Sequence, residues 1–113
     1  MVERGKWMMY TQAEIYVALR AAGFAEELLP TMDAIAGAES SWTIGCVQEG
    51  QPYRSTGWGT WQITPGNSEP AIGIDDQLLP LDTNARAAYA KWLVQGLHAW
   101  STYTSGKYKS YAR

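Results

Sequence analysis

Scarcity is the first thing this chain shows. It has one cysteine, one histidine and one phenylalanine in 113 residues, and each shortage excludes something. Cys46 has no partner for an intramolecular disulfide, so stability has to come from packing rather than from cross-links. With His98 the sole imidazole, the usual zinc ligand sets cannot be assembled, and no metal or other cofactor is expected. Long apolar runs are missing: nothing approaches the roughly 20 residues of a membrane-spanning helix, so no membrane insertion is expected. The start, Met1-Val2-Glu3-Arg4-Gly5, has no signal-peptide pattern. An excess of either charge is missing as well. Nine Lys and Arg stand against eleven Asp and Glu, the basic residues are scattered, and nucleic acid is not an expected partner. There is no Gly-x-Ser-x-Gly elbow, no triad pattern around His98 and no phosphate-binding Gly-x-x-x-x-Gly-Lys-Ser/Thr loop. Only folding could bring Cys46 to His98. What remains is carboxylate chemistry.

What the chain has is a globular balance, 46% hydrophobic and 18% charged residues, with length for one domain over residues 1–113 and not for two. Its six Trp and seven Tyr against a single Phe are unusual. Trp N–H and Tyr O–H need partners when buried, so a chain using aromatics only for its core has reason to prefer Phe. Rings that are apolar on the face and polar at the edge suit sugars, which offer C–H faces for stacking and hydroxyl edges for hydrogen bonds. About half of these rings are expected in the core.

Thr11-Gln12-Ala13-Glu14 is a capping-box pattern and Gly23 a stop, which predicts an amphipathic helix with Ile15, Leu19 and Ala22 on one face and Tyr16 beside them. A second helix is expected from near Pro30, with Leu28, Met32, Ile35, Ala36 and Glu39 recurring at spacings of three and four. From Trp42 to Ile63, short β-prone pieces broken by Gly45, Gly50, Pro52, Gly57 and Gly59 predict a small hairpin, a tongue that has to lean on helices. Residues 64–80 read as a long ordered loop. The strongest helix is expected from Asp82 to Gln95, capped by Asp82 or Thr83 and stopped by Gly96. Ala85, Ala88, Tyr89 and Trp92 form one stripe of it and Ala87, Ala90 and Val94 a second, which predicts a central, mostly buried helix. The fold class is α+β, predominantly α.

Glu39 is the carboxylate placed most unusually, continuing an apolar helix face instead of pointing to solvent. Burial there disfavours the charged form and raises the pKa, as a general acid working near neutral pH requires. The plainer alternative is a boundary glutamate at a helix end.

Around Glu39 the chain resembles a known family. Ala36-Gly37-Ala38-Glu39-Ser40-Ser41-Trp42 is similar to the glutamate–serine motif of goose-type lysozymes and soluble lytic transglycosylases, within the lysozyme-like superfamily. Gly57-Trp58-Gly59-Thr60-Trp61-Gln62-Ile63 resembles their Gly-Leu-Met-Gln-Ile segment, with Trp61 in place of the Met. Leu81-Asp82-Thr83-Asn84-Ala85-Arg86-Ala87-Ala88 resembles their later helix, with its asparagine near the start. Trp100-Ser101-Thr102-Tyr103 with Gly106 and Tyr108 looks like the C-terminal segment of the short versions in actinobacterial phage endolysins and tail proteins, although Tyr103-Thr104 departs from the family's Tyr-Asn. Order and spacing agree over roughly residues 11 to 111.

The resemblance implies a lysozyme-like domain, alone or as part of a longer phage protein, that cuts peptidoglycan glycan strands between N-acetylmuramic acid and N-acetylglucosamine with Glu39 as acid. Ser40 and Gln62 would contact the substrate's acetamido group or orient Glu39, and Asn84 and Tyr103 would bind substrate. Trp42, Tyr53, Trp58 and Trp61 are candidate stacking platforms, one or two of them core. Plainer readings stand beside these: Ser40 a polar helix end, Gln62 a strand hydrogen bond, Asn84 a helix cap. No convincing second carboxylate is legible: Asp33 points away around the helix, Glu49 sits at a turn-rich tip, and Asp75 and Asp76 cannot be placed. A lytic transglycosylase, with the substrate's N-acetyl group in the missing role, is therefore expected ahead of a hydrolytic muramidase. A glycan-binding or structural phage domain is the non-enzymatic alternative. The protein would be a monomer, made in the host cytoplasm and acting in the bacterial wall.

Overall fold

The computed structural model describes residues 8–50, 56–64 and 78–113. Its α-helices are α1 (Gln12–Ala22), α2 (Leu29–Ser40), α3 (Leu81–Gln95) and the single-turn α4 (Ser101–Thr104). Short 3-10 turns lie at Glu26–Leu28, Leu97–Ala99 and Lys107–Tyr111. Strands β1 (Val47–Gln48) and β2 (Gly57–Trp58) pair antiparallel, Val47 opposite Trp58 and Gln48 opposite Gly57. The fold is α+β and mostly helical, with the expected small tongue.

α1 begins with the capping box read from the sequence. Thr11 Oγ1 accepts from the Glu14 amide at 3.1 Å, and the Glu14 carboxylate accepts from the Thr11 amide at 2.8 Å, which satisfies two amides that a helix start leaves free. It ends at Gly23, whose amide reaches back to Leu19 and Arg20. The apolar face, Ile15, Ala18 and Leu19, is buried. α2 starts at Leu29, with Pro30 in the first turn where an amide is dispensable.

The most enclosed helix is α2 and not α3. Eight of its twelve residues are buried, against five of fifteen in α3. Val94, assigned to an apolar side of α3, is 66% exposed, as is its neighbour Leu93 at 62%. Apolar spacing names a face but not what covers it, and the C-terminal half of α3 is covered on one side only. The cap of α3 differs too: Pro80 holds the N-cap position, with no side-chain cap bond, and Asp82 and Thr83 lie inside the first turn.

α2 stops abruptly, because Ser41 and Trp42 both take left-handed backbone conformations, with φ of 53° and 58°. Two consecutive non-glycine residues there cost on the order of 1–3 kcal/mol each, so the fold around them has to hold the turn. Trp42 does the holding. Its Nε1 donates to the Asp33 carbonyl at 2.9 Å, the Arg113 guanidinium lies 3.9 Å from its ring centroid, and Tyr111 meets it edge-on at 6.0 Å. The same guanidinium makes two hydrogen bonds, of 3.0 and 3.1 Å, to the buried Asp33 carboxylate.

The ring also lies on Gly37, where a Cβ would come within 2.4 Å of Trp42 Cζ2. Gly37→Ala is thus expected to destabilise the protein by about 1–3 kcal/mol through overpacking, although alanine is favoured over glycine within a helix by about 1 kcal/mol. A urea unfolding curve with an unchanged or higher midpoint would show that the Trp42 ring is free to move aside.

Candidate active site

Glu39 occupies the last turn of α2, half-buried. Thr102 Oγ1, from α4, donates to its Oε2 at 2.7 Å, and Gln48 Nε2, from β1, donates to its backbone carbonyl at 3.0 Å. The carboxyl is therefore held by α4, and the backbone at Glu39 by the tongue. Burial pushes its pKa above the ordinary glutamate value. The Thr102 hydrogen bond and the Lys91 and Lys107 ammoniums pull the other way, and burial outweighs them. A carboxyl that keeps its proton to higher pH than an ordinary glutamate while one oxygen is fixed by a donor is suited to general acid work.

The tongue is anchored beside Glu39 by the polar residues singled out in the sequence, through their hydrogen bonds to main chain. Ser40 Oγ lies 2.9 Å from the Thr60 carbonyl and 3.1 Å from that of Ala36, tying the end of α2 to the turn after β2. Asn84, fully buried on α3, accepts from the Trp61 amide at 2.8 Å and donates to the carbonyls of Trp58 and Leu78 at 2.9 and 2.6 Å. Gln62 Nε2 donates to the Gly59 carbonyl at 2.9 Å and approaches that of Cys46 at 3.5 Å. Gly59 has φ +76°, and a Cβ on it would come within 2.4 Å of Asn84 Nδ2, so this contact of tongue and helix requires glycine.

In this structure all three side chains pair with main chain. Asn84 has both side-chain polar atoms committed to backbone and does not cap α3. The Ser40 hydroxyl and the Gln62 amide nitrogen are likewise engaged by carbonyls, because a two-stranded tongue has too few ladder bonds of its own to stand alone.

Of the four candidate platforms, two are held by packing contacts, Trp61 fully buried and Trp42 half-buried. Trp61 is fully buried at the centre of the core, its Nε1 donating to the Met32 carbonyl at 2.9 Å while its own carbonyl accepts from Trp100 Nε1 at 3.0 Å. Trp42 is packed between Gly37, Tyr111 and Arg113. Trp58 is half-buried on β2, and its buried Nε1 has no hydrogen-bond partner among the described residues. Tyr103, half-buried, stacks on Tyr108 at 4.9 Å and meets His98 edge-on at 5.4 Å. Tyr53 lies outside the described residues, as do Asp75 and Asp76. Asp33 is engaged by Arg113, and Glu49 is exposed.

Sequence reasoning missed two residues, Thr102 at Glu39 and the buried Lys91 on α3. Thr102 lies inside a segment already noticed, but an isolated threonine carries no spacing signal. Lys91, 8% exposed, was legible in principle, three and four positions after Ala88 and Ala87 on the buried stripe of α3. Among the described residues no group of three or more His, Cys, Asp or Glu could hold a metal ion, and no helix is long and apolar enough to cross a membrane. No protein-family model matches the chain, and no curated protein matches it.

Proposed function

We propose that the protein cleaves the β-1,4 bond between N-acetylmuramic acid and N-acetylglucosamine in peptidoglycan glycan strands, as a lytic transglycosylase serving a phage in lysis or wall penetration. One observation carries the reading. The half-buried Glu39 carboxyl, its pKa raised by burial, is fixed by Thr102 at the end of a buried helix and flanked by a glycine-rich tongue. The order of motifs around it resembles that of the transglycosylases.

In this mechanism Glu39 gives its proton to the glycosidic oxygen, and the N-acetylglucosamine leaves with the bonding electron pair. The carbonyl oxygen of the muramic acid's own N-acetyl group closes on C1 and takes up the positive charge, the part that a second carboxylate plays in other glycosidases. Glu39, now ionised, removes the proton of the C6 hydroxyl, whose oxygen attacks C1 and expels the acetamido oxygen. The product is a 1,6-anhydromuramoyl end and the acid is restored.

Mass spectrometry of purified glycan strands digested with the protein tests this directly. Anhydro ends, one water lighter than reducing ends, are the expected product. Reducing ends alone would make the protein a hydrolytic muramidase, and an undigested polymer would remove the enzymatic reading.

A further inference from the structure

The donor that fixes Glu39 comes from short elements. Thr102 belongs to the single turn α4, and the 3-10 turn Lys107–Tyr111 follows it. Helices this short have little stability of their own, so the place of Thr102 depends on what its segment is tied to. Tyr103, next to Thr102, stacks on Tyr108 in the 3-10 turn at 4.9 Å, that turn packs along α2, and Tyr111 meets Trp42 edge-on at 6.0 Å. These ties end on the Arg113 guanidinium. It grips Asp33, ahead of Glu39 on α2, with two hydrogen bonds of 3.0 and 3.1 Å, lies 3.9 Å from the ring centroid of Trp42, just past Glu39, and donates to the Tyr10 carbonyl at 3.1 Å. The Arg113 backbone oxygen accepts from Gln12 Nε2 at 2.7 Å. The segment 102–113 is thus a strap pinned to α2 at both ends, by Thr102 at Glu39 and by Arg113 at Asp33.

We propose that Arg113 is a positioning residue for Glu39: by clamping Asp33 and Trp42 it fixes both the end of α2 that carries the acid and the strap that carries its hydrogen-bond donor. The inference rests on Glu39 being the acid of the proposed reaction. Asp33 is 1% exposed, and a buried ion pair is a weak source of stability, because desolvating two charges offsets much of their attraction. What the pair supplies is direction. Two hydrogen bonds to one carboxylate and a stacked ring leave the planar guanidinium a single orientation, which a point charge would not have. Such accuracy matters at this place. α2 ends in two left-handed residues, Ser41 and Trp42, instead of a relaxed glycine cap, so the backbone at the acid is held by its neighbours and not by its own preference. A catalytic group displaced by about 1 Å loses up to ~10²-fold in rate.

The test is a ¹³C NMR titration of the Glu39 carboxyl, beside the pH profile of glycan cleavage, in the wild type, in the pair Asp33→Asn with Arg113→Met, in Arg113→Lys and in Thr102→Val. The paired substitution opens the clamp without leaving a buried charge unpaired. The strap should loosen and water should reach the carboxyl, so that Glu39 titrates at lower pH, nearer the ordinary glutamate value. The alkaline limb of activity should move down with it, and kcat per folded molecule should fall by about 10- to 100-fold. Arg113→Lys, which keeps the charge and loses the fork, should shift both in the same direction by less. Thr102→Val removes the donor and leaves the strap in place, so there the titration should move up instead. None of these variants removes Lys91 or Lys107, the charges that act on Glu39. An Arg113 that serves stability alone would lower the melting temperature and leave the Glu39 titration and kcat per folded molecule where they are, and that result overturns the proposal. If the paired variant does not fold, an unmoved titration in folded Arg113→Lys overturns it equally. A downward shift in a protein whose wild type cuts no glycan would instead refute the proposed reaction and leave Arg113 as the residue that keeps Glu39 in its buried place.

Discussion

Glu39→Gln is expected to abolish glycan cleavage while leaving the fold intact, with a loss of at least ~10²–10⁴-fold in kcat. The amide keeps the shape of the side chain and can still accept the Thr102 hydrogen bond, but it has no proton to deliver and cannot become the base of the second half-reaction. In the wild type, activity should fall as pH rises through the raised Glu39 pKa, because the acid form is then lost. The stability linkage has a definite sign. The folded protein holds this proton to higher pH than the unfolded chain does, so the Glu39 contribution to stability declines between the ordinary carboxylate pKa and the raised one. In Glu39→Gln that decline should disappear from thermal melts recorded across the same range. A variant that keeps most of its activity with a normal melt would remove Glu39 from the mechanism.

Asn84→Ala should give the largest stability loss of any single polar substitution considered for this fold, about 3–5 kcal/mol. Three hydrogen bonds disappear: the Trp61 amide and the Leu78 carbonyl lose the Asn84 side chain, and the Trp58 carbonyl keeps only the Ile63 amide at 2.9 Å. A buried group left unsatisfied costs about 1–3 kcal/mol, and water entering the vacated space moderates the sum. Asn84→Asp is no rescue, because it sets a carboxylate oxygen against the two carbonyls that now accept from Nδ2. Ser40→Ala, which removes one hydroxyl contact between α2 and the tongue, should cost only about 1 kcal/mol. Chemical denaturation combined with cleavage rates per folded molecule separates structure from catalysis. If Asn84→Ala melts normally and loses activity, the asparagine returns to the list of substrate contacts.

Local sequence determined the elements. The capping box at Thr11 and the glycines after α1 and α3 define helix ends through near-neighbour hydrogen bonds and backbone freedom, and such signals need no knowledge of the rest of the chain. The position of Glu39 on an apolar helix face, and with it the direction of its pKa shift, was legible for the same reason: burial of a face follows from its spacing.

Tertiary structure alone decided what these polar and aromatic side chains pair with. Asn84, Ser40 and Gln62 look like substrate contacts in one dimension, but a two-stranded tongue leaves backbone amides and carbonyls unpaired, and these side chains satisfy them across separations of up to 26 residues. Trp61 and Trp58, three positions apart, have the same residue type, yet Trp61 is fully buried at the core while Trp58 packs on its edge half-buried. The arrival of Thr102 at Glu39, 63 residues away, has no sequence period behind it. Periodicity describes how a segment faces its own axis, whereas the chemical state of a buried group depends on what the rest of the chain places against it.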